Sequence, residues 1–300
     1  MPWGSVPNTS GRVFFVAPAD SYTVDGLAYS SSDDHDGLSP VRAFRTVARA
    51  WVKAIANVGD VIILLPGAHT VQTASVAASK AGVSMFGIPS GNGNHLKNRT
   101  TITTDITADE IINVTAADIE FGFFDIIPIT ASDAIDLTAA ADGFHMHHFK
   151  IDFKTPAVST STVGITMAAA ENILIEDFSV MCDGAQGNAI VATASIDSVI
   201  RNFTILQSTG TWASAILCGA ATTQLHIDKG NFLPSNATLT EGINGTGATI
   251  AGGVLVTDCR FADSVTVAID SFDASECEIA ENYQLGVGGT DGGVLIVAIT

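Results

Sequence analysis

One pattern restricts this chain more than any other. An apolar–x–apolar strand, a polar turn and a second apolar pair recur along residues 110–285. Ile119-Glu120-Phe121 is followed by Phe124-Asp125-Ile126, Phe144-His145-Met146 by Phe149-Lys150-Ile151, and Ile173-Leu174-Ile175 by Phe178-Ser179-Val180. Val199 then precedes Phe203-Thr204-Ile205, Leu225-His226-Ile227 precedes Phe232, and Val254-Leu255-Val256 precedes Cys259-Arg260-Phe261. Cys277-Glu278-Ile279 with Asn282-Tyr283-Gln284 is the weakest copy. The last apolar position falls at 126, 151, 180, 205, 232 and 261, which gives spacings of 25, 29, 25, 27 and 29. Each unit opens with a further short apolar strand, as at Ile111-Ile112, Ile135-Asp136-Leu137, Ile165-Thr166-Met167 and Ile190-Val191. Alternation with period two on β-branched residues specifies strands and not helices. Three short strands per irregular period are the mark of an all-β solenoid whose insertions collect in one turn. A leucine-rich repeat would need Leu and Asn at fixed offsets, and a propeller about 40 residues per blade.

Nothing divides the 300 residues: no Pro/Ser-rich linker, charge block or low-complexity run interrupts them. The chain reads as one domain, with an N-terminal strand, loop and capping helix at 1–59. Coils follow at 60–285, and an apolar strand at 286–300. The expected helix is Pro40–Ala56, with Ser39 as N-cap, Pro40 at the first helical position, and Val41, Phe44, Val47, Trp51 and Ile55 as its apolar stripe. It would cover the open hydrophobic end that every solenoid has. A 47% hydrophobic content is high for a slim monomer, so a homo-oligomer is expected, as a trimer. Its contact would be Val294, Leu295, Ile296 and Val297, an apolar edge that needs covering either by another subunit or by folding back on the last coil. The longest apolar runs are too short to span a bilayer, and no basic, apolar leader opens the chain. Cys182, Cys218, Cys259 and Cys277 lack metal-ligand spacing and read as buried small hydrophobes. A net charge of −18 excludes nucleic acid as a partner and disfavours polyanionic substrates.

The opening segments carry a resemblance. Tyr22-Thr23-Val24-Asp25-Gly26, then Asp36-Gly37-Leu38-Ser39-Pro40-Val41-Arg42-Ala43-Phe44-Arg45-Thr46-Val47, then Gly59-Asp60-Val61-Ile62-Ile63-Leu64-Leu65-Pro66-Gly67 resemble the start of pectate-lyase-like right-handed parallel β-helix proteins. The likeness covers residues 20–70 closely and the later coils in pattern. It implies a single right-handed parallel β-helix. The superfamily holds lyases, glycosidases, adhesins and phage tailspike or capsid-surface proteins, so the fold leaves the activity open.

Stacked coils bring aligned residues into columns about 4.8 Å apart. One turn column holds His148, Asp177, Asn202, Lys229, Asp258 and Glu281; the position before it holds His147, Glu176, Arg201, Asp228 and Thr257. Glu176, Arg201 and Asp228 alternate in sign and read as a structural ladder. Asp258 above Glu281 is the carboxyl pair that a retaining glycosidase would need. Arg201 and Arg260 are the only arginines in the later coils, and no cluster of acids of the kind the resemblance implies for a lyase surrounds Arg260. With Phe144 and Met146 facing inward, His145 and His147 face outward beside Glu120 and Glu176, where zinc or nickel is conceivable. Exposed imidazoles near carboxylates are the plainer reading, and no cofactor is required. Asp33-Asp34-His35-Asp36-Gly37 fails as an EF-hand loop, because position twelve would be Ala43. Gly91-Asn92-Gly93-Asn94 reads as a turn.

Taken together, these features favour a non-enzymatic structural protein of a phage particle surface, a capsid decoration or spike. It would be assembled in a host cytoplasm, with capsid or tail proteins as partners and a glycan as a further candidate ligand. The competing expectation is a carbohydrate-active enzyme, a polysaccharide hydrolase or lyase using carboxylates on the β-helix face, extracellular by a non-classical route.

Overall fold

The computed structural model describes residues 11–299 apart from 25, 72–73, 89–99, 105–109, 129–132, 154–162, 183–186, 208–210, 220, 235–237, 246–252, 263–264, 273–276 and 285–296. The described chain winds into a right-handed parallel β-helix. Its longest sheet follows the hydrogen-bonded path Val13–Val16, Val61–Leu64, Ser84–Gly87, Glu120–Gly122, His145–Phe153, Leu174–Cys182, Val199–Gln207, Leu225–Pro234, Val254–Thr257 and Cys277–Ala280. A second, nine-stranded sheet closes the opposite side, and all pairings in both are parallel. In the long sheet Glu120 pairs His145, His145 pairs Leu174, Leu174 pairs Val199, Val199 pairs His226 and His226 pairs Leu255. Those steps are 25, 29, 25, 27 and 29 residues, which are the spacings of the sequence repeat.

The turn column expected from that repeat is a column of left-handed backbone. Phe123, His148, Asp177, Asn202, Lys229, Asp258 and Glu281 have φ between 52° and 62°. Each bends its coil between two limbs of the long sheet, so that Glu120–Gly122 and Asp125–Ile127 both pair with His145–Phe153. Asp and Asn tolerate this region, whereas a bulky side chain such as Phe adopts it at a cost.

Beyond the bend, Phe149, Phe178 and Phe203 stack inside, with centroids 5.0 and 5.3 Å apart, and Phe232 stacks on Phe261 at 4.6 Å. Gly230 is in register with Phe203, and a Cβ there would lie 2.3 Å from the Phe203 ring. The ring of that coil comes from Phe232 instead, edge-on to Phe203. Cys182, Cys218 and Cys259 are buried in the core, as expected.

The N-terminal helix differs from the expectation. Pro40–Arg42 is a single 3₁₀ turn, and the α-helix spans only Val47–Lys53 with Thr46 as its cap. Ser39 makes no side-chain cap bond, so it caps nothing, and Pro40 opens the 3₁₀ turn alone. Tertiary pairing overrides the apolar stripe. Phe44 N–H donates to Phe15 O at 2.8 Å, and Ala17 N–H to Phe44 O at 2.9 Å, which holds the backbone extended. Asp33 completes the break by accepting from Arg45 N, Thr46 N and Thr46 Oγ1 at 3.0, 3.0 and 2.8 Å. The loop acid is thus spent on the helix start. Trp51 is buried and meets the Phe121 ring edge-on at 6.2 Å, while Ile55 is exposed.

At the other end, Val297–Ile299 joins the second sheet, with Val297 opposite Ile269. The terminal strand folds back on the chain's own last coil at that point. Val294, Leu295 and Ile296 lie outside the described residues. No described helix is long and apolar enough to cross a membrane.

Candidate functional site

The strands Glu120–Gly122, His145–Phe153 and Leu174–Cys182 lie side by side with their apolar residues facing in: Phe121, Met146 and Ile175 are fully buried. Alternation then turns Glu120, His145, His147 and Glu176 outward. Register places Glu120 beside His145, Gly122 beside His147, and His147 beside Glu176.

These side chains converge. Glu120 Oε1 is 3.3 Å from His147 Nε2 and 3.7 Å from His145 Nδ1. The far nitrogen of His145, Nε2, donates to Glu176 Oε1 at 3.0 Å. His147 Nδ1 is 2.9 Å from His148 Nδ1, and His148 Nε2 is 3.8 Å from Asp177. One imidazole therefore stands between two carboxylates, and a second links Glu120 to the turn column. The His147 hydrogen bond and the nearby His145 hold the Glu120 carboxyl below its ordinary range despite partial burial. Burial alone would raise Glu176, but hydrogen bonds from Arg201 and His145 outweigh it and lower its pKa. Both carboxyls are thus anions at neutral pH.

Two features missing from the sequence reading shape this site. Gly122 lacks a side chain where one would strike the His147 ring: a Cβ there would lie 2.6 Å from Cε1. Its absence lets the ring lie flat over the neighbouring strand, where only 12% of the His147 side chain is exposed. Phe123, at φ 62°, is a bulky residue held in the left-handed region, with its ring stacked on His148 at 4.9 Å and edge-on to His147 at 5.1 Å. Phe86 lies 6.1 Å from His147 and 6.4 Å from Phe123. A half-buried aromatic pair thus borders the imidazoles. Extending the turn column one coil toward the N-terminus finds Phe123; no sequence signal marks Gly122.

The other expected positions fall as follows. Arg201 bonds Glu176 through Nη2 at 2.6 Å and Nε at 2.8 Å, so the upper half of the ladder forms. Asp228 is in register with Arg201 but pairs with Lys229 at 3.2 Å and accepts from Thr257 Oγ1 at 2.7 Å. Asp258 and Glu281 occupy adjacent coils of the left-handed column. Among the described residues no hydrogen bond joins them, and Glu281 is exposed. Their turn is instead fastened by Asn282, which accepts from Cys259 N at 2.9 Å and donates to Val256 O at 2.8 Å. On the second sheet, burial and then Glu110 raise the Asp136 carboxyl from its ordinary value, a pairing the repeat did not single out.

No family model matches this sequence, and no curated protein matches it. Solved structures do. Over 85% of the chain the fold is similar to a pectin methylesterase in complex with a hexasaccharide, at 10% identity, 89% coverage of that chain and a TM-score of 0.54. A rhamnogalacturonan lyase matches 97% of the chain and 87% of its own, at 10% identity and a TM-score of 0.51. A pectin methylesterase from Aspergillus niger matches 95% and 88%, at 11% identity and a TM-score of 0.55. What the chain shares with these structures is the right-handed parallel β-helix fold.

This corrects the expectation of a non-enzymatic particle-surface protein. The three solved structures just named are carbohydrate-active enzymes. The outer face also departs from a run of compensated charges, since two anions and two imidazoles face each other at one spot.

Proposed function

We propose that this chain is a carbohydrate-active enzyme, a polysaccharide hydrolase or lyase, whose reacting groups are Glu120, His145, His147 and Glu176. The observation that carries the reading is the imidazole of His145 set between two carboxylates on the outer sheet face. An imidazole positioned in this way takes or gives a proton at neutral pH, and an ionised carboxylate on its far nitrogen fixes which nitrogen reacts. Phe86 and Phe123 border the site with apolar ring surface of the kind against which a sugar ring packs. The shared fold with polysaccharide enzymes supports the substrate class. The net charge of −18 supports neutral or esterified chains over free polyuronates.

Reducing-end release and double-bond absorbance, measured on a panel of esterified pectin, rhamnogalacturonan and neutral glycans, test this reading. Turnover of at least one substrate is expected, and His145→Gln should lower kcat by about 100-fold or more, in the range of a lost general acid or base. Absence of turnover across the panel, or a His145→Gln variant as active as the parent, overturns it. Asp258→Asn serves as the comparison and should leave the rate unchanged.

A further inference from the structure

The same convergence has a property that proton transfer does not require. His145 Nε2 lies 3.0 Å from Glu176 Oε1, and with that nitrogen donating to the carboxyl oxygen the neutral ring carries its lone pair on Nδ1. That lone pair points toward Glu120 Oε1, 3.7 Å away, which is itself an acceptor. His147 has its own outer partner: Nδ1 lies 2.9 Å from His148 Nδ1, while Nε2 faces Glu120 Oε1 at 3.3 Å, where an ion can replace the proton of that hydrogen bond. Three ligand atoms thus face one another: Glu120 Oε1, His145 Nδ1 and His147 Nε2. The ligand atoms of these three residues lie within 4.8 Å of one another.

We propose that Glu120, His145 and His147 form a binding site for one divalent first-row transition metal ion, zinc foremost. Zinc takes nitrogen ligands at about 2.0–2.1 Å and carboxylate oxygen at about 2.0–2.2 Å, which puts tetrahedral ligand atoms roughly 3.3–3.4 Å apart. The two distances to Glu120 Oε1 already bracket that separation. Two imidazoles and one carboxylate are a ligand set that leaves further positions open. Calcium and magnesium prefer all-oxygen shells, so the nitrogens discriminate against them.

Each inner ligand also has an outer one. Glu176 holds His145, itself held by Arg201 at 2.6 Å, and His148 holds His147. Such outer contacts fix the tautomer and ring orientation that a metal needs. Gly122 adds the room for the His147 ring. The sequence pattern His-x-His-His supplied the imidazoles, but only the pairing with the preceding and following coils brings the carboxylates to their correct sides. The site shares Glu120, His145 and His147 with the proposed turnover, and its test reads binding of the ion alone.

The test uses the full chain, freed of metal by chelator and titrated calorimetrically with zinc at about pH 8, where free imidazole is neutral. One equivalent per chain with micromolar or tighter Kd is expected, unaffected by millimolar calcium. Cobalt substitution should give visible d–d absorption. His147→Gln should abolish the stoichiometric binding, and Glu176→Gln should weaken it by about 10–100-fold, as loss of an outer partner does. Unchanged circular dichroism and melting temperature show that both variants remain folded. Should either melt early, Gly122→Ala, which keeps every ligand and only displaces a ring, must still lose the site. The proposal is overturned if the parent takes up no stoichiometric zinc at about 100 μM, or if His147→Gln binds as the parent does.

Discussion

At the scale of single residues, the site rests on an absence. Gly122 has ordinary backbone angles, so an Ala there is conformationally allowed; what it meets is the His147 ring, at 2.6–3.0 Å. The ring is the movable partner and must swing away from Glu120. Gly→Ala in a compatible strand position restricts the unfolded chain and stabilises by about 0.4–1 kcal/mol, which offsets much of the local crowding. Gly122→Ala is therefore expected to melt within a few degrees of the parent while losing both turnover and zinc uptake. Equal loss of stability and activity would instead mark Gly122 as a packing residue. A second residue sets the response to acid. His69 is 4% exposed, and its Nε2 donates to Leu65 O at 2.8 Å. Burial pushes its pKa down from 6.5 to about 4. The folded state thus refuses a proton that the unfolded chain takes up, so stability is full above pH 6.5 and falls as the pH drops toward 4. The loss amounts to about 3 kcal/mol across that window. Urea midpoints at pH 7 and 4.5 should show it, and His69→Gln, which retains a donor toward Leu65, should flatten the difference.

Among elements, Asp60 performs the joining that the sequence assigned to a long helix. It is 1% exposed and accepts from Arg12 N at 2.7 Å, Arg12 Nη2 at 3.0 Å and Ile55 N at 2.8 Å. It thereby ties the first strand and the segment after the helix to the start of the second coil. Burial raises its pKa, but the hydrogen bonds from Arg12 and Ile55 outweigh this and leave it below 3.8. Its contribution is present above that value and disappears as the pH falls further, a window beneath that of His69. Asp60→Ala strands buried donors, and a loss of about 2–4 kcal/mol in denaturant titrations is expected. The contrast with the repeat shows what was legible in the chain. Coil register could be read from apolar spacing, because a slip of one residue would turn every inward Phe and Ile to solvent. The left-handed column could be read from the polar residue that precedes each Phe178-type position. The helix could not: its apolar stripe is real, but Phe44 is captured by backbone pairing with Phe15 and Ala17, which no local propensity encodes. The metal-like cluster was half legible. His145 and His147 were visibly outward beside Glu120 and Glu176, whereas Gly122 and the Phe86 ring acquire their roles only when three coils are stacked.

For the whole molecule, the deciding quantity is charge. Thirty-one acidic against thirteen basic residues give −18. Two of the basic groups nearest the candidate site are already engaged: Arg201 with Glu176, and Lys150 with Asp152 at 2.7 Å. A polyuronate approaching the outer face would meet Glu120 and Asp177 with little cationic relief, while a neutral or esterified chain meets only hydrogen-bonding groups and the rings of Phe86 and Phe123. Repulsion of this kind acts mainly on encounter and so on kcat/KM. It also decays with salt, since the Debye length shrinks from about 30 Å at 0.01 M to about 8 Å at 0.15 M. Esterified and de-esterified forms of one polysaccharide, compared at both ionic strengths, give the measurement. The esterified form should be preferred at low salt, and the ratio of the two kcat/KM values should fall toward unity as salt is added. A preference for the acidic form that strengthens at low salt would mean that a cationic surface, or a bound cation at Glu120, His145 and His147, governs the encounter in place of the net charge.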